Sequence, residues 1–499
     1  MRDALFHIRP DSPLSIQAQI RELIVDAILS GQLPPGDPLP SCRTMAKRLR
    51  VSRNTVVYAY QRLVDDGFLT ARERSGFYVA DDVLQGRVQP QPAPSEPHEP
   101  RAAPDMARRF RIRPSRQPNI VKPPHWRDLP YPFIYGQSDA RLFPLAEWRD
   151  CSRQVLGRRM FDDVTHDMLG ADDEVLVEHI RTHLLPRRGV TARRDEILIT
   201  LGAQNALYLL ASLFLQPTDT VVMGDPGYPD FRNLAQLRTN RLRTIAVDAG
   251  GLPIDGRLDG ADYIFVTPSH HFPTTVTMPM ARRRALLEYV AENDCIVIED
   301  DYEPEANYVS EPTPALKSMD RDGRVLYVGS LSKTLFPGLR LGYVVASAPV
   351  IEELRALRRL MLRHPPTEVQ RIAGLFIAQG HHDTYVKRLA KTYKQRWTLM
   401  RDALGRHLPG AAQAPSFGGT SFWVEGPPDL DADALAARAL DAGVLIEPGS
   451  VNFAGDKPDR HFFRLGFSSI PDERIDPGIA KLAQLIGETQ SRGVGRIAV

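Results

Sequence analysis

The sequence predicts an α/β protein with an N-terminal winged helix-turn-helix and a larger domain built on a mostly parallel central sheet, with a smaller α+β subdomain at its C-terminal end. Three observations indicate this fold class. Helically spaced apolar residues precede two short strand-like segments near the N-terminus. A stretch rich in proline, glutamine and arginine follows them. Beyond it, apolar runs of strand length alternate with amphipathic helical segments, which is typical of sheets covered on both faces.

The boundaries follow from these changes in composition. A chain of 499 residues is too long for one ordinary core. We expect a winged-helix domain over 1–82, a proline-rich linker over 83–126 and a second domain over 127–490, with the small subdomain at about 375–486.

Composition excludes several classes of protein. Hydrophobic residues make up 42% of the chain and charged residues 25%, as in globular proteins, and no apolar stretch approaches the roughly 20 residues of a membrane span. The N-terminus lacks the pattern of a secretory signal. Cys42, Cys151 and Cys295 offer neither a disulfide framework nor metal-ligand spacing. We therefore expect a cytoplasmic protein without a metal site or a membrane partner.

The first domain should contain three helices and a β-wing. Ser41 and Ser52 can cap the second and third helices, and Gly31 ends the first. The predicted elements are a helix over 16–28, a helix after Ser41, a helix over 53–66, and strands over 68–70 and 76–80. No acidic residue lies between Asp37 and Asp65, whereas six basic residues do: Arg43, Lys47, Arg48, Arg50, Arg53 and Arg62. Such windows are often only a solvated face, but here the window coincides with a helix-turn-helix and favours binding to DNA.

In the second domain, the strongest chemical signal is Lys333. It follows the apolar run 325–328, at the carboxyl end of a predicted buried strand, where open α/β sheets bind ligands. Ser330 and Arg340 are near enough in sequence to bind a phosphate, and a lysine amine forms a Schiff base with an aldehyde. The pattern predicts pyridoxal 5'-phosphate (PLP) as the cofactor.

Two further segments fit a bound PLP. Asp300, at the end of another predicted strand, can pair with the pyridine nitrogen, and Tyr302 can bond the ring hydroxyl. Ala203 and Gln204 open a helix whose free backbone N–H groups can bind phosphate. The alternative for 299–301 is a solvated acidic turn.

An aromatic residue and an arginine complete the candidate site. Tyr228 follows a strand and can stack on the cofactor, or it can be a packing aromatic of a proline-rich turn. Arg464 lies in an apolar strand, where an unpaired arginine is costly. It can bind the acid group of a ligand, or it can form an internal salt bridge.

The order of these residues along the chain resembles the fold-type I aminotransferases. At the N-terminal end, Leu-Pro-Ser-Cys-Arg at 39–43 and Val-Ser-Arg-Asn-Thr-Val at 51–56 resemble the GntR group of winged-helix regulators. The two together resemble the MocR/GabR-type transcriptional regulators over essentially the whole chain.

The resemblance implies a role for each matched residue. Lys333 is the Schiff-base lysine, Asp300 and Tyr302 hold the ring, and Arg464 takes the acid group of an effector. The remaining residues implied to bind the cofactor are Ser330, Arg340, Tyr228, Ala203 and Gln204. The residues implied to bind double-stranded DNA are Arg43, Ser52, Arg53, Asn54, Thr55 and Gly76. The resemblance also implies a head-to-tail homodimer and leaves RNA polymerase open as a further partner.

Two segments depart from the family patterns. Phe272 and Thr275 stand where aminotransferases commonly have the asparagine and glycine of Asn-Pro-Thr-Gly, so that Tyr302 is left to contact the ring hydroxyl. Cys42 stands where a serine is usual at the start of the second helix.

The resulting expectation is a PLP-dependent regulator that senses an amino or aminosulfonic acid through external aldimine formation and controls amine or amino-acid catabolic genes. Taurine, γ-aminobutyrate and diamino acids from osmolyte breakdown are candidate effectors. Three alternatives stay open: an active aminotransferase, a GntR-type repressor that binds a ligand without PLP, and a regulator of vitamin B6 synthesis that senses PLP itself.

Overall fold

The computed structural model describes residues 7–9, 12–73, 75–83, 105–309, 313–411, 418–455 and 457–494. The chain divides into two compact units, Met1–Arg109 and Phe110–Val499. Residues 84–104 of the predicted linker and Arg74 in the wing lie outside the described residues.

The first unit has the predicted winged helix-turn-helix fold. Its elements are α1 (Ile16–Leu29), α2 (Cys42–Leu49), α3 (Arg53–Asp65), β1 (Leu69–Arg72) and β2 (Gly76–Val79). The side chains of Ser41 and Ser52 accept hydrogen bonds from the N–H groups of Thr44 and Thr55, each at 3.1 Å, so both predicted caps are present. The antiparallel β1–β2 pair forms the wing. One apolar core, which includes Ile24, joins the three helices and the wing.

Eleven helices and twelve strands are described in the second unit. The helices are α4 (Leu145–Val155), α5 (Arg158–Val164), α6 (Glu174–His179), α7 (Ala203–Phe214), α8 (Pro229–Gln236), α9 (Met280–Glu292), α10 (Ala348–Leu362), α11 (Thr367–Ala378), α12 (His381–His407), α13 (Ala432–Asp441) and α14 (Asp472–Val494). The strands are β3 (Tyr131–Pro132), β4 (Ile197–Thr200), β5 (Thr220–Asp225), β6 (Arg241–Ala246), β7 (Tyr263–Val266), β8 (Ile296–Asp301), β9 (Val325–Ser330), β10 (Gly342–Val345), β11 (Ser421–Glu425), β12 (Val444–Leu445), β13 (Glu447–Pro448) and β14 (Phe462–Gly466).

A seven-stranded sheet forms the centre of this unit, in the order β4-β10-β9-β8-β7-β5-β6. Only β10 runs antiparallel to its neighbours among these strands, so the sheet is mostly parallel, as predicted. Apolar clusters cover both of its faces, which explains the near-continuous apolar strands. The carboxyl ends of the parallel strands therefore meet at one edge, where α/β sheets bind ligands.

The smaller α+β part contains a three-stranded sheet in the order β11-β14-β13. It also draws on residues far upstream, because β3 pairs in parallel with β12. Within the described residues, no helix combines the length and apolar character that a membrane crossing needs.

Candidate cofactor and effector site

A cavity of about 350 Å³ opens at the carboxyl edge of the central sheet. Each predicted cofactor residue lines it: Ala203, Gln204, Tyr228, Asp300, Tyr302, Ser330, Lys333 and Arg340. The fold explains this convergence, because these residues stand in or just beyond β4, β5, β8 and β9, or just before the antiparallel β10. Residues spread over more than a hundred positions are thus brought to one site.

Lys333 lines the cavity with its amine beside an aromatic ring. Its Nζ is 4.1 Å from the centroid of the Tyr135 ring. Burial of the amine lowers the pKa of Lys333 from 10.5 to about 8; Glu303 opposes this shift, whereas Lys122 and Arg464 reinforce it. The neutral amine, which is the form that adds to an aldehyde, is therefore far more populated near physiological pH than it is for an exposed lysine.

The backbone at Gly136 lies next to the Lys333 amine and leaves room for it. Gly136 has a φ of +70°, and a Cβ at this position would lie only 2.4 Å from Lys333 Nζ. Glycine therefore satisfies both the backbone conformation and the close approach of the lysine.

Asp300 also lines the cavity, and one of its carboxylate oxygens is unsatisfied. Its Oδ1 is fully buried and has no hydrogen-bond partner among the described residues. Burial raises the pKa of Asp300 to about 7, and Asp301 adds to the shift while Lys333 opposes it. A buried carboxylate without a partner is costly, and a protonated pyridine nitrogen would supply the missing donor.

The third part of the cavity has the character of a phosphate site. Helix α7 begins at Ala203, so its free N–H groups face this end, and the exposed Arg340 stands beside it. A Cβ on Gly202, whose φ is +79°, would come within 2.8 Å of Arg340 Nη2, so glycine fits this position best. Ser330 and Ser332 line the same cavity, and the sequence analysis did not single out Ser332.

The two predicted tyrosines have fixed hydroxyl groups. The hydroxyl of Tyr228 is within donating distance of two acceptors, Gln204 Oε1 at 3.0 Å and Asp230 Oδ2 at 2.9 Å. Tyr302 donates to the backbone oxygen of His270 at 2.8 Å. The ring of Phe272 lies edge-on to both tyrosines, at 4.9 and 6.0 Å between centroids. The residue that replaces the usual asparagine thus forms part of an aromatic wall.

Arg464 lies directly behind the cavity wall, and its Nε is buried without a hydrogen-bond partner among the described residues. It is 1% exposed, and its guanidinium carbon lies 3.7 Å from the ring centroid of Tyr135 and 4.3 Å from that of Phe272. Its Nη2 forms an ion pair with Glu447, on the neighbouring strand β13. The internal salt bridge left open by the sequence is therefore present.

The described cavity wall also includes residues that the sequence analysis missed. Asn119, Ile120 and Lys122 come from the end of the predicted linker, and Tyr135 and Asp230 from the body of the second unit. Lys122 Nζ donates to the backbone oxygen of Tyr135 at 2.8 Å. The proline-rich composition of residues 119–122 predicted a linker, so Lys122 was not considered as a site residue.

Taken together, the residues present fit PLP. The cavity contains the Lys333 amine, whose pKa is lowered, and the Asp300 carboxylate, which lacks a donor. The N-terminus of α7 and Arg340 line the same cavity. When bound, PLP supplies an aldehyde carbon to which amines add reversibly.

The predicted DNA-binding residues form a separate set on the first unit. Arg43, Arg53, Asn54, Ser52 and Gly76 are exposed, and Thr55 is half-buried. The hydroxyl of Ser52 is 2.8 Å from that of Thr55, so these two residues also stabilise the start of α3. Gly76 has a φ of +110°, which suits the wing turn.

Comparison with known proteins agrees with both parts of the structure. A model of the family "Aminotransferase class I and II" matches residues 173–482, and a model of "Bacterial regulatory proteins, gntR family" matches residues 16–79. The chain is a GntR-family regulator with an aminotransferase class I and II domain. It has the MocR-type architecture that its sequence resembles, and this fold implies the use of PLP.

Two regulators match nearly the whole chain, and an aminotransferase structure matches its larger part. The chain is 42% identical over 487 residues to the HTH-type transcriptional regulator TauR of Rhodobacter capsulatus, covering 96% of this chain and 98% of the relative. It is 27% identical over 488 residues to the probable rhizopine catabolism regulatory protein MocR of Rhizobium meliloti, covering 97% and 96%. The crystal structure of kynurenine aminotransferase from Pyrococcus horikoshii matches with a TM-score of 0.69 at 26% identity, covering 77% of this chain and 98% of that one.

Proposed function

We propose that this protein is a transcriptional regulator that uses PLP at Lys333 to sense a small amino or aminosulfonic acid and changes its DNA binding in response. The observation that carries the proposal is the cavity itself. It brings together the residues predicted to bind PLP, in the same chain as a helix-turn-helix with exposed basic residues.

The proposed sensing step uses residues of known position. Lys333 would hold PLP through its amine, Asp300 would pair with the ring nitrogen, and Arg340 with the α7 N-terminus would hold the phosphate. PLP would supply an aldehyde carbon to which either the Lys333 amine or an effector amine can add, so an effector would free the lysine and bring an acid group into the cavity. An effector shifts a conformational equilibrium only through such differences between states.

Several small amines with an acid group suit this site. We propose taurine, γ-aminobutyrate and diamino acids as the effector class and amine or amino-acid catabolic genes as the targets, because the full-length relatives are transcriptional regulators. We also propose that the protein acts as a head-to-tail homodimer, which would read two half-sites on DNA.

The competing function is an active aminotransferase, since Lys333 is also placed to move a proton to and from a bound substrate. The exposed basic surface of the first unit favours a regulator, because an aminotransferase needs no such surface.

An absorbance titration separates the two functions. Protein loaded with PLP is titrated with amino and aminosulfonic acids, and the solution is assayed for keto or aldehyde product. A regulator shows a saturable spectral change without product. Conversion of the cofactor to its amine form with one equivalent of keto or aldehyde product, followed by continued product release once a keto acid acceptor is added, would make the protein an enzyme. Lys333→Ala is the control, and it should lack the starting absorbance band.

A further inference from the structure

A second, smaller cavity adjoins the one that fits PLP. Its volume is about 30 Å³, and Gly136, Gln137 and Lys333 line both cavities. Two carboxylate residues, Glu303 and Glu305, line the smaller cavity only. Because a space of about 10–15 Å³ is enough for one water molecule, the smaller cavity has room for a group of the size of an ammonium.

Glu303 is a buried carboxylate without a cation. It is 6% exposed, and its Oε1 accepts a hydrogen bond from the hydroxyl of Thr420 at 2.8 Å. Within the described part of the chain Glu303 forms no ion pair, whereas Arg464 is paired with Glu447. Burying a carboxylate is costly unless a positive charge compensates it. Glu303 is therefore placed to receive a positive charge.

Lys333 is the one basic residue in the described wall of this smaller cavity. Its side chain is a flexible four-carbon chain that borders both cavities, so its amine can pass from one to the other by rotation of its own bonds. We propose that Glu303 binds the Lys333 side chain as an ammonium in the smaller cavity once an effector has freed it, an inference that rests on the function proposed above. Glu303 is thus a positioning residue that acts through Lys333.

The freed lysine carries a full positive charge when the exchange is balanced. An effector amine enters from neutral solution as an ammonium. Its nitrogen forms a bond to the aldehyde carbon of PLP, the Lys333 nitrogen gives up its bond to the same carbon, and the proton that the effector carried passes to the lysine. Effector binding therefore places a charge on Lys333 that needs a partner.

The charged groups that act on Lys333 are of both signs. Burial and two cations, Lys122 and Arg464, lower the pKa of this lysine, whereas two carboxylates, Glu303 and Glu447, raise it, Glu303 the more strongly. Glu447 is already paired with Arg464. Glu303 is therefore the carboxylate of this set that is available to a lysine that has become charged.

The contact also bears on the choice between a sensor and an enzyme. The lysine of an aminotransferase must be neutral after the substrate has bound, because it then takes a proton from the substrate. A Lys333 ammonium held by Glu303 cannot accept that proton. The same carboxylate would thus stabilise the effector-bound protein and oppose the chemistry of the competing function.

The test is Glu303→Gln in the full-length protein. Glutamine removes the charge but keeps an oxygen that can accept from Thr420. PLP-loaded wild type and variant are titrated with taurine, γ-aminobutyrate and ethylamine while absorbance is followed. Each probe that changes the wild-type spectrum should bind the variant about tenfold more weakly, whether or not it has an acid group, because a hydrogen bond between charged groups is lost.

A second readout should move in the opposite direction. Without the Glu303 charge more of the Lys333 amine is neutral, so the cofactor-free variant should take up PLP faster than wild type at pH 7. The midpoint of its rate against pH should fall below the wild-type value of about 8. Asp300, which also interacts with Lys333, is the same in both proteins. Weaker effector binding combined with faster PLP uptake is not the result of a damaged fold, which would impair both.

Glu305→Gln is the matched comparison. Glu305 lines the same cavity but is only half-buried, and its carboxylate accepts from the hydroxyl of Thr334 at 2.7 Å. Its substitution should change both readouts clearly less, and an equal or larger change would place the ammonium at Glu305 instead. Unchanged effector binding in Glu303→Gln, or impairment of both readouts, would overturn the inference and leave the proposed function standing. If no probe changes the wild-type spectrum, the proposed function itself fails.

Discussion

At the level of single residues, two ionisable groups of the cavity have pKa values displaced in directions that suit a cofactor. Burial lowers the pKa of Lys333 and raises that of Asp300. In both cases burial disfavours the charged form, and in both cases PLP offers a partner. The amine is prepared to add to an aldehyde, and the carboxyl group to accept a charged N–H.

The lowered pKa of Lys333 predicts how cofactor capture depends on pH. Only the neutral amine adds to the aldehyde, so the rate at which cofactor-free protein takes up PLP should rise with pH and level off above about 8. Below that pH the rate should fall about tenfold per unit. Stopped-flow absorbance measures the rate, with free N-acetyl-lysine methyl ester as the reference amine. A midpoint near 10.5, the ordinary value for lysine, would contradict the burial argument.

Residues of the site differ in how far the sequence could predict them. Lys333 and Asp300 follow recognisable strands, so their meeting at one sheet edge was predictable. The packing of the Tyr135 and Phe272 rings against Arg464 could not be predicted, because both residues lie far from Arg464 in sequence. Lys122 was not predicted for another reason. Composition describes a whole segment, whereas the position of Lys122 at the cavity depends on a few hydrogen bonds.

At the level of elements, α3 is the helix that the structure best equips for DNA. Ser52 caps it, its first residues are exposed, and the recognition helix of a helix-turn-helix contacts bases through its N-terminal residues. Arg53 occupies the first position of this helix and Arg62 lies near its end.

The two arginines of α3 therefore give a matched comparison. Arg53→Ala should weaken binding to a duplex from upstream of the protein's own gene by about tenfold and reduce the magnitude of the salt slope by about one. Arg62→Ala removes the same charge from an exposed residue that pairs with Asp66 at 3.6 Å, and it should have a clearly smaller effect. Fluorescence anisotropy at several salt concentrations measures both. Equal effects would show that the two ends of α3 contact DNA alike.

The central sheet shows which kinds of strand can be predicted from sequence. Six apolar runs predict strands that the structure contains as β4, β5, β7, β8, β9 and β10, because burial on both faces makes these strands apolar. The runs are 196–200, 221–223, 263–266, 295–298, 325–328 and 342–345. Strand β6 was missed because it lies at the sheet edge and alternates arginine with apolar residues. The two-residue strands β3, β12 and β13 carry too little sequence to predict, and only their long-range partners define them.

At the level of the whole molecule, the proposal requires that a small ligand in one unit alters DNA binding by another. Asn119, Ile120 and Lys122, from the end of the predicted linker, lie in the second unit and line the cavity. An effector in the cavity would add contacts to this segment that are present only with effector. Linkage then requires that DNA in turn change the affinity for effector by the same factor.

The most direct test of the central claim is the DNA affinity of PLP-loaded protein with and without a saturating effector, measured by anisotropy for wild type and Lys333→Ala. We expect the effector to change the wild-type affinity by about 5- to 150-fold, the usual range of allosteric coupling, and to leave that of Lys333→Ala unchanged. If an effector that demonstrably binds at Lys333 left the DNA affinity of the wild-type protein unchanged, the result would contradict the proposal that the protein is a sensor. A DNA-binding aminotransferase would then be the remaining interpretation.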